Sequence, residues 1–189
     1  MKIMNAIFDW SYSIIIAFTC ALLINAFLFQ PTRVQGSSME PTLQNDNYLF
    51  VSKVSHTLRQ LPDYSDIVII DSRVLRERTW KDDLVDPMNT YLGMLKLVDQ
   101  SADHHIWVKR IIGKPGDVLE FKDNKVFRNG IALEEPYTKE LMRYSSDKKI
   151  TVPEDHVFVM GDNRNNSSDS RFIGPVPINQ VLGKVVLKL

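Results

Sequence analysis

The sequence predicts a mostly β globular domain carried on a single N-terminal membrane-spanning helix. Two observations lead to this prediction: an uncharged apolar run at residues 10–29, and a series of short β-type runs separated by turn signals in the rest of the chain. The 189 residues fit one domain of ordinary size plus a short appendage. The predicted organisation is a short tail at 1–9, a transmembrane helix at 10–29 and a β domain at 31–189.

The apolar run is predicted to be a retained anchor. From Trp10 to Phe29 it has about the length needed to cross a hydrocarbon core of roughly 30 Å. A cleavable signal peptide and a buried core helix are the alternatives. The hydrophobic region of a signal peptide is usually shorter and ends at small residues, whereas bulky residues follow Ala26 here. The positive charges that flank the run, Lys2 on one side and Arg33 on the other, are too evenly balanced to predict the orientation of the helix in the membrane.

The β domain is predicted from runs rich in β-branched and aromatic residues, bounded by turn signals such as Asn129-Gly130. Pro31 is expected to end the helix, and the chain is expected to become irregular at once, with a flexible polar turn at 35–38. Residues 74–104 interrupt the pattern and are predicted to form a surface insertion with a short helix beginning near Asp86. The predicted strands are 48–54, 67–71, 106–112, 118–121, 125–128, 156–160 and 181–189.

Charge and cysteine content limit what the sequence indicates about binding partners and compartment. The 23 basic and 23 acidic residues are well mixed and give a formal net charge of zero. Such a balance gives no sign of nucleic-acid binding or of a polybasic tether to anionic lipid. The only cysteine, Cys20, lies in the apolar run and cannot form an intramolecular disulfide, so cysteine pairing does not indicate the compartment.

The segment GSSMEPTL at 36–43 is the first candidate for chemistry. It begins only a few residues beyond the apolar run, so a reactive group here would lie at the membrane surface. A glycine lets the backbone approach a substrate closely, and the Ser38 amide could donate a hydrogen bond to an oxyanion. A plain serine-rich linker is the alternative. A serine hydroxyl also needs a base before it becomes a useful nucleophile.

Lysine is favoured over histidine as that base. None of the four histidines lies in a motif that supplies an acid partner, although triad members can be far apart in sequence. Lys109 lies inside the β-type run IWVKRII, where alternation places it on the same face as Trp107 and Ile111. Burial lowers the pKa of a lysine and can leave it neutral near pH 7. An outward-facing lysine on a half-exposed strand is the alternative, and the apolar face favours burial.

The run GDNRNNSSDSR at 161–171 is dense in small polar residues, which is typical of a constrained loop or a site. Its hydroxyls and acid–base pairs could hold a neutral amine and brace the surrounding backbone. As a bare pattern it could equally be a metal or sugar loop. It lacks the ligand spacing of a calcium loop and has no histidine or cysteine cluster, so no metal site is predicted.

Taken together and in this order behind an apolar span, GSSMEPTL, VKRIIGKPGD and GDNRNNSSDSR resemble the motifs of bacterial type I signal peptidases. The single span and compact size resemble the Gram-positive form. The resemblance implies a Ser-Lys serine protease that cleaves signal peptides from exported preproteins without a cofactor. It also implies an extended antiparallel β domain, of the type shared with repressor proteases, resting on the outer face of the lipid bilayer with the N-terminus cytoplasmic. Substrates would carry small residues at the first and third positions before the cut.

Residue by residue, the resemblance makes Ser38 the nucleophile, with its backbone amide in the oxyanion hole, and Lys109 the general base. Ser167 matches the hydroxyl that orients the lysine amine. Further residues match those that brace the site: Asp162, Asp169 and Arg171.

Two positions depart from the family pattern. Gly36 occupies a place where some members carry a serine whose hydroxyl helps to form the oxyanion hole, so backbone donors would have to suffice. Ser65 replaces a glycine commonly found before the aspartate in a strand that lines the substrate. Two other functions stay open at this point: a self-cleaving regulator of the repressor type, and a membrane-tethered scaffold derived from a protease. The membrane span and the lack of a DNA-binding segment disfavour the first, and intact Ser38 and Lys109 disfavour the second.

Overall fold

The structure, a computed structural model, describes residues 2–82, 85 and 105–188. The helical elements are α1 (Lys2–Phe27), α2 (Val54–Thr57), α3 (Ser170–Ile173) and a 3-10 turn at Ile178–Gln180. The strands are β1 (Phe29–Arg33), β2 (Tyr48–Ser52), β3 (Ile67–Asp71), β4 (Ile106–Gly113), β5 (Val118–Lys122), β6 (Lys125–Arg128), β7 (Ile131–Ala132), β8 (Ser146–Thr151), β9 (His156–Met160), β10 (Val176–Pro177) and β11 (Val181–Lys188).

The predicted mostly β, antiparallel fold is confirmed. Within the described ranges, one sheet has seven strands in the order β1-β2-β11-β3-β4-β9-β10, and a second has four in the order β7-β6-β5-β8. Every strand pair is antiparallel. The apolar residues of β5 and β6 pack with Phe158 and Met160 of β9, so the small sheet shares a core with the large one.

All seven predicted strands are present, and their bounds differ from the predicted ones by at most two residues. Others were missed. β1 replaces the irregular exit expected after the helix, and Pro31 is compatible with a strand because β1 lies at the edge of its sheet. β8 was missed because its sequence SDKKIT is polar and largely exposed, so it lacks the apolar alternation of a half-buried strand.

The N-terminal helix differs in its bounds from the predicted span. It begins at Lys2 and ends at Phe27, whereas the prediction placed it at 10–29. None of the helices in the described part of the chain combines the length and the hydropathy of a membrane-spanning segment. The short helix predicted to begin near Asp86 lies outside the described residues.

Two features of the fold position the candidate residues. Lys109 lies on β4 between β3 and β9, and it faces Val68 in the register of the sheet. The segment after Ser38 is anchored by Met39 and Leu43, which are each 1% exposed and pack in one core cluster. The backbone N–H of Leu43 donates to the carbonyl of Met39 at 2.9 Å. One turn of chain with two buried anchors therefore holds the nucleophile candidate against the sheet.

Candidate active site

Ser38 and Lys109 meet in the folded chain. The Lys109 Nζ lies 2.8 Å from the Ser38 Oγ, although the two residues are 71 positions apart. Lys109 is only 3% exposed, which confirms the burial predicted from strand alternation. The Nζ also lies 5.5 Å from the centre of the Trp107 ring, on the same face of β4. A buried amine at hydrogen-bond distance from a hydroxyl has the geometry that proton transfer requires.

The surroundings of Lys109 favour its neutral form. Burial is the largest influence and lowers the pKa of Lys109 from its ordinary 10.5 to about 8. The nearby carboxylates of Asp169 and Asp162 act in the opposite direction, whereas the guanidinium of Arg171 adds to the lowering. At pH 7 a pKa of about 8 leaves roughly a tenth of the amine neutral, so an uncharged base is accessible near neutrality.

The backbone on either side of Ser38 is held by the 161–171 loop. The backbone N–H of Asn163 donates to the Ser38 carbonyl at 3.0 Å. The side-chain amide of Asn163 donates to the Ser37 carbonyl at 3.1 Å, and that of Asn166 donates to the Ser37 hydroxyl at 2.9 Å. Sequence reasoning did not single out these two asparagines, although both lie in the polar run that it quoted.

Gly161 lies where this loop passes close to the serine segment. A Cβ built on Gly161 would lie 2.5 Å from the Ser38 carbonyl oxygen and would also overlap the Ser167 hydroxyl. The N–H of Gly161 donates to the Asp169 carboxylate at 3.0 Å. Only glycine leaves room for these two segments of the chain to pass each other at this distance.

Buried Asp169 and Arg171 form one cluster with half-buried Ser167. The Asp169 carboxylate accepts from the Nε of Arg171 at 2.8 Å and from the Ser167 hydroxyl at 2.8 Å, and it caps α3 by accepting the Arg171 backbone N–H. Arg171 also donates to the Arg164 carbonyl at 2.7 Å. The Ser167 hydroxyl thus points to Asp169, and among the described residues no hydrogen bond joins it to Lys109.

Buried Asp162 and Arg110 form a second cluster with half-buried Thr42. The guanidinium of Arg110 donates to both Asp162 oxygens, at 2.8 and 2.6 Å, in a bidentate pair. The Thr42 hydroxyl donates to the same carboxylate at 2.5 Å. Arg110 directly follows Lys109, and Thr42 is four residues after Ser38, so this pair links the two segments. Thr42 and Arg110 were missed as site residues, although both lie inside the quoted motifs.

A cleft of about 350 Å³ opens beside the Ser38–Lys109 pair. The N–H of Gly36 at its edge already donates to the Asn45 side chain at 2.9 Å. For the N–H of Ser38, by contrast, the described residues provide no acceptor. The cleft is lined by Gln35, Gly36, Ser37, Ser38, Ile106, Trp107, Lys109, Asn166 and Ser168.

The chain is similar to proteins of known class over most of its length. The family described as signal peptidase, peptidase S26, matches residues 7–189. A signal peptidase I of Bacillus licheniformis is 39% identical over 178 residues, covering 88% of this chain and 79% of that protein. A signal peptidase I of Bacillus amyloliquefaciens is 36% identical over 189 residues, covering 95% of this chain and 83% of that protein.

A crystal structure of a signal peptidase I from Enterococcus faecalis V583 has 27% sequence identity and a TM-score of 0.45, and the match covers 67% of this chain and 97% of that one. The family match extends over nearly the whole sequence, and both Bacillus relatives are aligned over most of their own length. The chain therefore belongs to the signal peptidase family, peptidase S26.

Proposed function

We propose that this chain is a serine endopeptidase that removes signal peptides from exported preproteins, with Ser38 as nucleophile and Lys109 as general base. The 2.8 Å contact between a buried amine and the Ser38 hydroxyl is the observation on which the assignment of roles rests. Family membership supports the reaction class. The lowered pKa of Lys109 supports the role of the lysine, because a base must be uncharged to accept a proton.

In the proposed mechanism the neutral Lys109 amine accepts the proton of the Ser38 hydroxyl as Oγ attacks the scissile carbonyl. The Ser38 backbone N–H, for which the described residues provide no acceptor, stabilises the oxyanion that forms. The Lys109 ammonium then protonates the departing amine, and an acyl-enzyme remains on Ser38. Water, deprotonated by the same lysine, releases the signal peptide and restores the serine.

The other predicted residues are proposed to support this pair. Asp162 holds Arg110 beside Lys109, and Asp169 orients Arg171 and Ser167 around Gly161. The described hydrogen bonds favour an indirect role for Ser167: it fixes the Asp169 carboxylate, which in turn influences the pKa of Lys109. We infer that substrates carry small residues at the first and third positions before the cut. The indole of Trp107 and the buried amine, which lie 5.5 Å apart, limit the room in the cleft.

We also propose that α1 anchors the protein in the membrane, with the N-terminus cytoplasmic and the domain outside. At 1.5 Å per residue, its 26 residues extend for about 39 Å. Its side chains Ile14, Ile15 and Phe18 are 62–65% exposed, although they are large and apolar. Phe50 and Leu187, which pair across β2 and β11, are exposed on the sheet that α1 joins. This distribution of apolar surface favours a lipid environment.

The pH dependence of cleavage tests the role of Lys109. The full chain in detergent micelles is assayed with a fluorogenic peptide that has alanine at the first and third positions before the cut. Because the active form is the neutral amine, kcat/KM is expected to rise about tenfold per pH unit and to level off above a pKa of about 8. A midpoint near 6.5 would instead indicate a histidine base. A peptide with phenylalanine at the first position serves as the substrate control.

Gly161→Ala tests the close approach beneath the site. The added methyl group would meet the Ser38 carbonyl at 2.5 Å and displace the nucleophile, so kcat is expected to fall by about 100-fold. Gly113→Ala is a matched control, since its Cβ would crowd the Leu119 and Val152 side chains at 3.0 and 3.1 Å in the core. Equal losses of activity in both variants, or none in Gly161→Ala, would contradict this account of Gly161.

A further inference from the structure

Residues 135–139, here called the strap, contact segments on both sides of the site. The backbone N–H of Lys139 donates to the Asp162 carbonyl at 3.2 Å. Glu40 follows Ser38 by two residues, and its carboxylate accepts a hydrogen bond from the Lys139 ammonium at 2.6 Å. The strap lies outside all three sequence motifs, and nothing in its sequence pattern pointed to the site.

Tyr137, in the middle of the strap, lies against two arginines. The centre of its ring is 4.0 Å from the guanidinium carbon of Arg110 and 5.9 Å from that of Arg164. Its hydroxyl donates to Glu135 at 3.0 Å, and Glu135 forms an ion pair with Arg164 at 2.9 Å. Cations within about 6 Å of an aromatic centre are attracted to the face of the ring. The pKa of Tyr137 is raised to about 12, mainly by burial, so the hydroxyl stays protonated throughout the working range.

Arg110 connects this ring to both reacting residues. It directly follows Lys109 on β4, and its guanidinium forms the bidentate pair with Asp162. The same carboxylate accepts the hydroxyl of Thr42, in the turn that carries Ser38. Arg110 is only 7% exposed, so its ion pair is shielded from water. Such a pair holds a fixed geometry only while its partners remain packed and hydrogen-bonded.

We propose that Tyr137 is a positioning residue for the Ser38–Lys109 pair: its ring covers the Arg110 guanidinium, so that the Arg110–Asp162–Thr42 contacts keep the two reacting groups together. The proposal rests on the proposed function, because it assigns Tyr137 a part in that reaction. Tyr137 is not among the residues that line the cleft. It therefore acts on the catalytic step and leaves substrate affinity nearly unchanged.

Loss of the ring is also expected to alter the titration of Lys109. The charged groups that face its amine are Asp169, Asp162 and Arg171, and the largest influence on its pKa is burial. When the Arg110–Asp162 pair is looser, water reaches the Lys109 amine, and burial then lowers its pKa less. The pKa of Lys109 then rises towards its ordinary value, and the acidic limb of the activity profile moves to higher pH.

The experiment compares Tyr137→Leu and Tyr137→Phe with the unmodified chain in detergent, on the same fluorogenic peptide. For Tyr137→Leu, kcat is expected to fall about tenfold or more, KM to stay within about twofold, and the acidic limb to shift upward. Tyr137→Phe keeps the aromatic face and loses only the hydrogen bond to Glu135, so it is expected to restore kcat and the pH profile. Val126→Ala, a cavity variant of a fully buried residue in the small sheet, controls for lost stability.

The outcomes separate this proposal from the proposed function. If the unmodified chain is active and Tyr137→Leu has the same kcat and pH profile, the proposed role of Tyr137 is overturned. The proposed function is not affected by that outcome. A loss of kcat in Val126→Ala as large as in Tyr137→Leu would likewise overturn the role of Tyr137, because stability would then explain the effect. If the unmodified chain does not cleave the peptide, the proposed function itself fails. Where Tyr137→Leu does not fold, Tyr137→Met takes its place, since methionine fills the space without an aromatic face.

Discussion

Replacing Ser38 with alanine is expected to lower kcat by a factor of about 10⁴ or more, because among the described residues only the Ser38 hydroxyl is at hydrogen-bond distance from the Lys109 amine. The change removes one oxygen atom from a turn whose anchors, Met39 and Leu43, stay in place. Folding should therefore be unaffected, as circular dichroism would show. Single-turnover assays with excess enzyme, followed by mass spectrometry, measure both cleavage and the acyl-enzyme.

Ser37→Ala is the matched control for this prediction. Its hydroxyl accepts a hydrogen bond from Asn166, and losing one such bond costs about 1 kcal/mol, so cleavage should fall by at most about tenfold. A penem that acylates serine should label the unmodified chain and Ser37→Ala, and it should leave Ser38→Ala unlabelled. If cleavage and labelling followed Ser37 instead, the nucleophile would be wrongly assigned.

Lys109→Met is expected to separate activity from stability. Methionine keeps an unbranched apolar stem and removes the amine, so kcat should fall by about 10³-fold or more for lack of a base. The folded state should at the same time become more stable near pH 7, because the cost of burying an ammonium disappears. Lys114→Met, which removes a lysine paired with exposed Asp63, is the control expected to change neither quantity greatly.

The pH dependence of stability has a definite sign. Lys109 has a folded-state pKa of about 8, below its ordinary 10.5, so between these values the unfolded chain binds more protons and stability rises with pH. Below pH 8 the unmodified chain carries the full penalty, roughly 3 kcal/mol. The advantage of Lys109→Met should therefore be greatest below pH 8 and shrink towards pH 10.5 in thermal unfolding of the full chain. A constant difference across this range would contradict the lowered pKa.

Strands with strong apolar patterns were predictable from sequence, and polar or edge strands were not. β3, β6 and β9 match their predicted bounds, because buried β-branched and aromatic runs carry the signal that pattern reasoning detects. β1 contains Pro31 and β8 reads SDKKIT, so both have weak local signals. Their pairing depends on neighbours that are distant in sequence.

For the site, the sequence by itself determined which groups could react. It placed a serine after a flexible turn and a lysine on an apolar strand face, because alternation along a strand records which side of the sheet a residue faces. Only the tertiary structure decided that Ser38 and Lys109 meet across 71 residues, that Ser167 turns to Asp169, and that Tyr137 covers Arg110. These contacts depend on sheet register and on the packing of one loop over another. A hydrogen bond acts over about 3 Å, and no pattern along the chain reports a distance that small between remote segments.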